Sequence, residues 1–132
     1  MTRKKQRKIA FQLIFSLNFQ GTDACTHVIE EYYALQEEPE QIPFLEDTVK
    51  GVCDHWDQIN GMIEPALSNR KFNRVTPICM SVLRLATYEL KFSRQTPEAI
   101  IFNEAIELAK EFGDSDSAAF VHGVLSAIAK KE

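Results

Sequence analysis

Apolar residues return every third or fourth position along almost the whole chain, and no segment alternates convincingly with a period of two. That rhythm constrains the fold more than any other feature, because a stripe repeating near 3.6 residues is the core-facing side of a helix. Ile9, Leu13, Ile14 and Leu17 form the first stripe, widened by Ala10 and Phe11, and predict one amphipathic helix over residues 4–19. Gly21 ends it. A second helix is expected from Thr22 or Asp23 as N-cap to about residue 37, with Val28, Tyr32 and Leu35 facing inward. Pro39 and Pro43 bracket a connector. Leu45, Val49, Val52, Trp56, Ile59, Ile63 and Leu67 then keep helical spacing over residues 44–67, and Asn60-Gly61 predicts a break into two helices there.

The second half is punctuated more sharply. Thr76-Pro77 and Thr96-Pro97 each set a capping hydroxyl before a proline suited to the first helical position. They predict helices over residues 77–91 and 97–112, the latter closed by Gly113 as its C′ residue. Asp114 or Ser115 is expected to cap a last helix to about residue 129, with Asp116 in its first turn, where the helix dipole favours negative charge. The chain of 132 residues thus reads as a single all-α domain of about seven helices. Its two small bundles, residues 1–69 and 74–132, join at the polar stretch Ser68-Asn69-Arg70-Lys71-Phe72-Asn73-Arg74.

Charge is distributed unevenly along this frame. Five of the first eight residues are basic (Arg3, Lys4, Lys5, Arg7 and Lys8) and none is acidic. Removing those five from the 15 basic residues leaves 10 against all 19 acidic ones, so a net charge of −4 divides into about +5 and −9. From Asp23 to Glu64 there are 11 carboxylates and one cation, Lys50. Such a surface repels a phosphate backbone, so nucleic-acid binding is confined to another face. The basic terminus is suited to it, since each neutralised phosphate releases a condensed counterion. A solvated, solubilising tail is the plainer account of the same run.

Other functions leave little trace. No apolar run approaches the ~20 residues that span a bilayer, and no cleavage site follows the basic start, so neither membrane insertion nor export is expected. Three cysteines, Cys25, Cys53 and Cys79, without a CxxC pair, point to reduced thiols in a cytoplasm. Cys25-Thr-His27 and Cys53-Asp-His55 repeat a pattern, but i and i+2 lie on opposite sides of a helix and cannot chelate locally. There is no GxSxG, GxxxxGK[ST], GxGxxG or HExxH. Glu104, Glu107, Lys110 and Glu111 line one face of the penultimate helix, opposite the stripe Ile101, Ala105, Leu108 and Phe112, and read as a solvated face. No enzyme, cofactor or metal is expected.

Three segments in order carry a resemblance. They are Arg7-Lys8-Ile9-Ala10-Phe11-Gln12-Leu13-Ile14-Phe15, then Leu83-Arg84-Leu85-Ala86-Thr87-Tyr88-Glu89-Leu90, then Asn103-Glu104-Ala105-Ile106-Glu107-Leu108-Ala109-Lys110 with Phe112-Gly113 and Phe120-Val121-His122-Gly123-Val124-Leu125. Together they resemble the NusB family of bacterial transcription antitermination factors over essentially the whole chain. The resemblance implies an all-helical, non-catalytic protein of two halves, paired with the small ribosomal protein NusE. It implies single-stranded boxA RNA of ribosomal RNA operon leaders as target, and the RNA polymerase antitermination complex as the assembly served. Some members self-associate and bury the RNA surface, so a homodimer is among the implied states.

By position, the resemblance assigns phosphate contact to Arg3, Lys4, Lys5 and Arg7, where arginine adds bidentate geometry. Gln12 stands within reach of a base edge and Lys110 adds a phosphate contact. Phe112, Asp116 and Phe120 fall in the loop and helix start that the family uses for RNA. A carboxylate can accept from cytosine N4 or guanine amino groups, and an aromatic face can stack an unpaired base. As plain residues, Asp116 is an ordinary first-turn acid, and Phe112 and Phe120 fit the core stripes.

Two departures stand out. His122 occupies the place of the family's usual asparagine, and RNA contact there makes affinity sensitive to pH near 6.5. The run Val75-Thr76-Pro77-Ile78-Cys79-Met80, near the expected partner surface, is less charged than the pattern. A related module also opens some ribosomal RNA cytosine methyltransferases, but a chain ending at Glu132 is expected to act alone. A third reading is a protein–protein scaffold with a solubilising arm.

Overall fold

The computed structural model describes residues 1–68 and 71–131. They form seven α-helices and no strand: α1 (Arg3–Gln20), α2 (Cys25–Ala34), α3 (Pro43–Asp54), α4 (Trp56–Ala66), α5 (Pro77–Tyr88), α6 (Glu98–Phe112) and α7 (Ser117–Lys130). Helix α5 is the axis of the molecule. Every residue from Cys79 to Thr87 is buried, and the helix packs against α1, α3, α4, α6 and α7. Buried apolar side chains from all seven helices join one core, including Ile14, Val28, Leu45, Ile63, Leu83, Ile101 and Leu125.

A helix buried on every side must satisfy its polar side chains internally. Arg84 is 5% exposed; its guanidinium lies 4.0 Å from the Trp56 ring and donates to Asn60 Oδ1 (2.9 Å) and Asn18 Oδ1 (2.7 Å). Burial pushes Arg84 down to about 10, which still leaves it charged at neutral pH. Asn18 in turn donates to Ser81, and Ser81 to the Pro77 carbonyl. This network ties α1 and α4 to α5.

Several boundaries differ from the sequence expectation. The break between α3 and α4 falls at His55, whose ring Nδ1 lies 2.9 Å from the Gly51 carbonyl, and not at Asn60-Gly61. Gly61 sits exposed inside α4, where a Cβ would meet nothing within 4 Å. Thr22 begins a short 3-10 turn before α2, and Leu35, expected inside, is 78% exposed; Ile29 takes the buried place. Thr76 does cap α5, accepting from the Cys79 amide at 3.2 Å. Thr96 does not cap α6; its hydroxyl accepts from Arg7 instead.

Gly113 follows α6 with φ −95°, so no left-handed cap requires it. Close approach does: a Cβ there would lie 2.6 Å from Ser117 Cβ and 2.7 Å from the Ala109 carbonyl oxygen. Helix α7 starts later than expected. Asp114 Oδ1 accepts from the Asp116 amide (3.0 Å) and the Ser117 hydroxyl (3.1 Å), and Asp116 holds the N-cap place without a side-chain cap bond. In the polar stretch expected to separate the halves, Asn69 and Arg70 lie outside the described residues, and Phe72–Arg74 make one 3-10 turn.

Candidate nucleic-acid interface

Helix α1 opens with a strong cap and no acid. Thr2 Oγ1 accepts from the Lys5 amide at 3.1 Å, and no carboxylate occupies the first turn. Free amides at a helix N-terminus carry partial positive charge, so the basic run sits where the backbone already favours an anion.

Helical phase then divides the cations. Arg7 falls on the buried stripe with Ala10, Phe11 and Ile14, and is itself 4% exposed. Its Nε donates to Glu89 Oε2 at 2.9 Å, and its Nη2 to Glu89 Oε1 at 3.0 Å and Thr96 Oγ1 at 3.2 Å. Both members of the pair are sealed, with side chains 5% and 4% exposed. The expected phosphate contact at Arg7 is therefore corrected: in this arrangement the guanidinium is an interior tie between α1 and the end of α5. Arg3 points the other way from Lys4 and lies 4.1 Å from the Phe44 ring of α3. The remaining lysines stay at the surface.

Lys4 and Lys8, four residues apart, face Glu107 and Glu111 of α6, also four apart. Lys4 is hydrogen-bonded to Glu107, and Lys8 Nζ lies 2.8 Å from Glu111 Oε1. The Glu107 carboxylate, with Glu104 and Glu111 nearby, holds the Lys4 ammonium above its ordinary value. A groove of about 700 Å³ runs between the two helices, lined by Lys4, Lys5, Lys8, Gln12, Lys110 and the α6 carboxylates, with Ile9 and Leu108 among its apolar lining. Lys4, Lys5, Gln12 and Lys110, expected separately, are thus brought to one place.

Beside the groove runs a line of rings. Phe112 at the end of α6 packs on Phe11 (4.9 Å between centroids), Phe11 on Phe15 (6.4 Å) and Phe15 on Phe19 (5.3 Å). Lys8 Nζ stands 5.5 Å above Phe112, and Phe19 is 69% exposed. Sequence reasoning left out Lys8, Phe15 and Phe19. Phe15 and Phe19 were signalled by phenylalanine at every fourth residue from Phe11, and Lys8 by its place one turn after Lys4. Asp116 and Phe120 do not line the groove. Asp116 is exposed at the α6–α7 turn, and Phe120 is half-buried against the core in the first turn of α7. His122 is exposed, its ring edge-on to Phe102 at 5.8 Å.

Among the described residues no helix is long and apolar enough to cross a membrane, and no group of three or more His, Cys, Asp or Glu could hold a metal ion. Lysines beside aromatic rings are the groups that phosphate contact and base stacking use in nucleic-acid-binding proteins.

Comparison with known proteins agrees. The model of the NusB family matches residues 4–130. The transcription antitermination protein NusB of Bacillus subtilis (strain 168) is 41% identical over 128 residues, covering 97% of this chain and 95% of that one. The structure of T. maritima NusB superposes with a TM-score of 0.89 at 30% identity, over 100% of this chain and 93% of the other. A crystal structure of antitermination factors NusB and NusE in complex with dsRNA contains a chain similar at TM-score 0.79 and 27% identity, over 98% of each. With its helices and these relatives agreeing over nearly its full length, the chain belongs to the NusB family of transcription antitermination factors, which are not enzymes.

Proposed function

We propose that this protein is an RNA-binding antitermination factor that acts in the cytoplasm with ribosomal protein NusE on the boxA RNA of ribosomal RNA operons, as part of the RNA polymerase antitermination complex. The observation that carries this reading is the α1–α6 groove, where Lys4, Lys5, Lys8 and Lys110 gather beside Glu104, Glu107 and Glu111, bordered by the Phe112–Phe11–Phe15–Phe19 line. A relative of similar fold occurs in a complex of NusB, NusE and RNA, which supports both partners.

In this reading Arg3, Lys4, Lys5 and Lys8 contact phosphates, with Lys110 at the far side of the groove. A phosphate that takes Lys4 or Lys8 displaces a carboxylate of α6, so binding is an exchange of anions and is weak for this chain alone. NusE supplies further positive surface. The exposed ring of Phe19, with Phe15 and Phe112 behind it, offers faces on which unpaired bases stack, and Gln12 and Asp116 offer hydrogen bonds to base edges.

The test is binding of a fluorescent boxA-type RNA with and without NusE, across a salt series, for wild type and an Arg3/Lys4/Lys5/Lys8→Ala variant. With five phosphate contacts to a single strand, log affinity should fall against log salt with a slope of about −3.5. Binding that NusE strengthens and that depends on the boxA sequence supports the reading. Binding indifferent to sequence, NusE and the basic arm defeats it and favours a scaffold with a solubilising tail.

A further inference from the structure

Helix α1 divides its cations between two faces, and the second face has a cavity of its own. A space of about 610 Å³ opens where Arg3 meets α3 and the end of α5, and it shares no residue with the α1–α6 groove. Phe44, Asp47, Gly51 and Asp54 line it from α3, at spacings of three, four and three residues that put them on one helix face. Tyr88 and Phe92 line it from the end of α5 and the π-helical turn Glu89–Ser93 that continues that helix. A Cβ at position 51 would collide with the Tyr88 ring, so glycine there lets the ring close against α3. Tyr88 and Phe92 stand 6.3 Å apart with ring planes 17° from parallel, and the His55 ring packs on Phe92 at 4.2 Å.

Two features of the lining say what the cavity takes. Phe44 already carries cations: the Arg3 guanidinium lies 4.1 Å from its ring, and that of Arg7, committed to Glu89, lies 5.5 Å away. The carboxylates, by contrast, are unanswered. Asp47 and Asp54 are exposed and make no ion pair or side-chain hydrogen bond among the described residues, while Lys50 turns to Glu46 at 3.8 Å. Burial, reinforced by the charges of Asp47 and Asp54, pushes the Tyr88 hydroxyl above its ordinary value, so this wall stays neutral.

We propose that this cavity is a binding site for a linear organic polycation of the polyamine class. Asp47 and Asp54 stand two turns apart, about 10 Å along α3, a span that a chain of methylenes bridges and a single ammonium does not. Each carboxylate takes one ammonium group. Tyr88, packed over Gly51 between them, covers the methylenes, and Phe44 offers its face to the charge. A compact metal ion finds no holder, since no group of three or more His, Cys, Asp or Glu among the described residues could bind one. The seat is the one Arg3 occupies. A bound polyamine replaces its guanidinium on Phe44 and leaves Arg3 free beside Lys4 and Lys5, a consequence that rests on the RNA reading above; the binding itself does not.

The experiment titrates the full chain with spermidine at fixed ionic strength and without RNA, followed by calorimetry and backbone amide NMR. Saturable binding is expected, with shifts centred on residues 44–54 and 88–95. Asp47→Asn with Asp54→Asn should weaken it roughly tenfold at an unchanged melting temperature, since both side chains are exposed and unpaired. Glu37→Gln with Glu38→Gln, in the acidic connector, should leave it unchanged. Arg3→Ala, which removes the resident cation, should tighten it about two- to threefold. Putrescine, shorter than the span between the carboxylates, should bind more weakly than spermidine. The site is overturned by equal affinity in the Asp47/Asp54 variant, by shifts spread over the whole acidic surface, or by magnesium chloride matching spermidine at equal concentration. No saturable binding by either wild type or Arg3→Ala overturns it as well. RNA takes no part in these outcomes, so they stand apart from the test of the boxA reading.

Discussion

One edge of α1 is fastened to α5 by an ion pair sealed from water, and the other to α6 by ion pairs open to it. Arg7 and Glu89 are about 5% exposed and meet in a fork of hydrogen bonds. Lys4 and Glu107 are 64% and 44% exposed, and Lys8 and Glu111 42% and 49%. All three cations come from the same basic run. Burial alone assigns one to holding the fold and the others to a surface where a stronger anion can replace the carboxylates. Desolvation makes the interior pair costly to break, whereas solvent screening makes the outer pairs cheap to exchange.

The largest expected effect comes from breaking the sealed edge. Arg7→Ala leaves Glu89 buried without its partner, and Glu89→Gln does the converse; either should cost about 3–5 kcal/mol of stability. For a domain of this size that is a fall in melting temperature of roughly 10–20 °C by circular dichroism. Replacing both at once with apolar residues, Arg7→Met with Glu89→Leu, should recover most of the loss. If the single variants melt like wild type, the pair is not the tie described.

A smaller effect on stability but a larger one on RNA is expected at the open edge. Arg3/Lys4/Lys5/Lys8→Ala should melt within a few degrees of wild type, since exposed ion pairs add little. RNA titration should show the salt slope of about −3.5 shrinking to about −0.7, the share left to Lys110. A large loss of thermal stability in this variant would erase the distinction between the edges.

How much of this was legible in the sequence follows from the range of the interactions. Helix phase is local, so the stripes, the Thr76 cap and the end of α1 at Gly21 could be read directly. Asn60-Gly61 misled because the roughly 1 kcal/mol that a glycine costs a helix is outweighed by the burial of Ile59 and Ile63 on either side of it. The real break depends on His55, whose ring packs on Phe92 far along the chain. At the site, Arg7's phase with Ala10 and Ile14 already marked it as inward, but Glu89, 82 residues away, could not be foreseen as its partner. Thr96 was lost as a cap for the same reason, since its hydroxyl answers Arg7 and not α6. The α6 carboxylates read as a solvated face because nothing local says that α1 lies across from them.

That last placement gives the finest test of the comparison. Glu107→Gln with Glu111→Gln keeps the shape of α6 but withdraws the charge that holds Lys4 and Lys8. If the outer pairs are exchanged on binding, the lysines of the variant face RNA without first giving up a carboxylate, and two nearby charges no longer repel the phosphates. Affinity should rise, by roughly two- to tenfold for the pair of substitutions, because exposed ion pairs are individually weak. The gain should be largest at low salt and fade as screening increases. Thermal stability should move by only a few degrees, unlike the response at Glu89. Unchanged or weaker RNA binding by this variant, beside a wild type that binds, would mean that the carboxylates do not compete with phosphate. Glu107 and Glu111 would then belong with Glu89 as structural partners of α1, and solvent exposure would cease to separate the two edges.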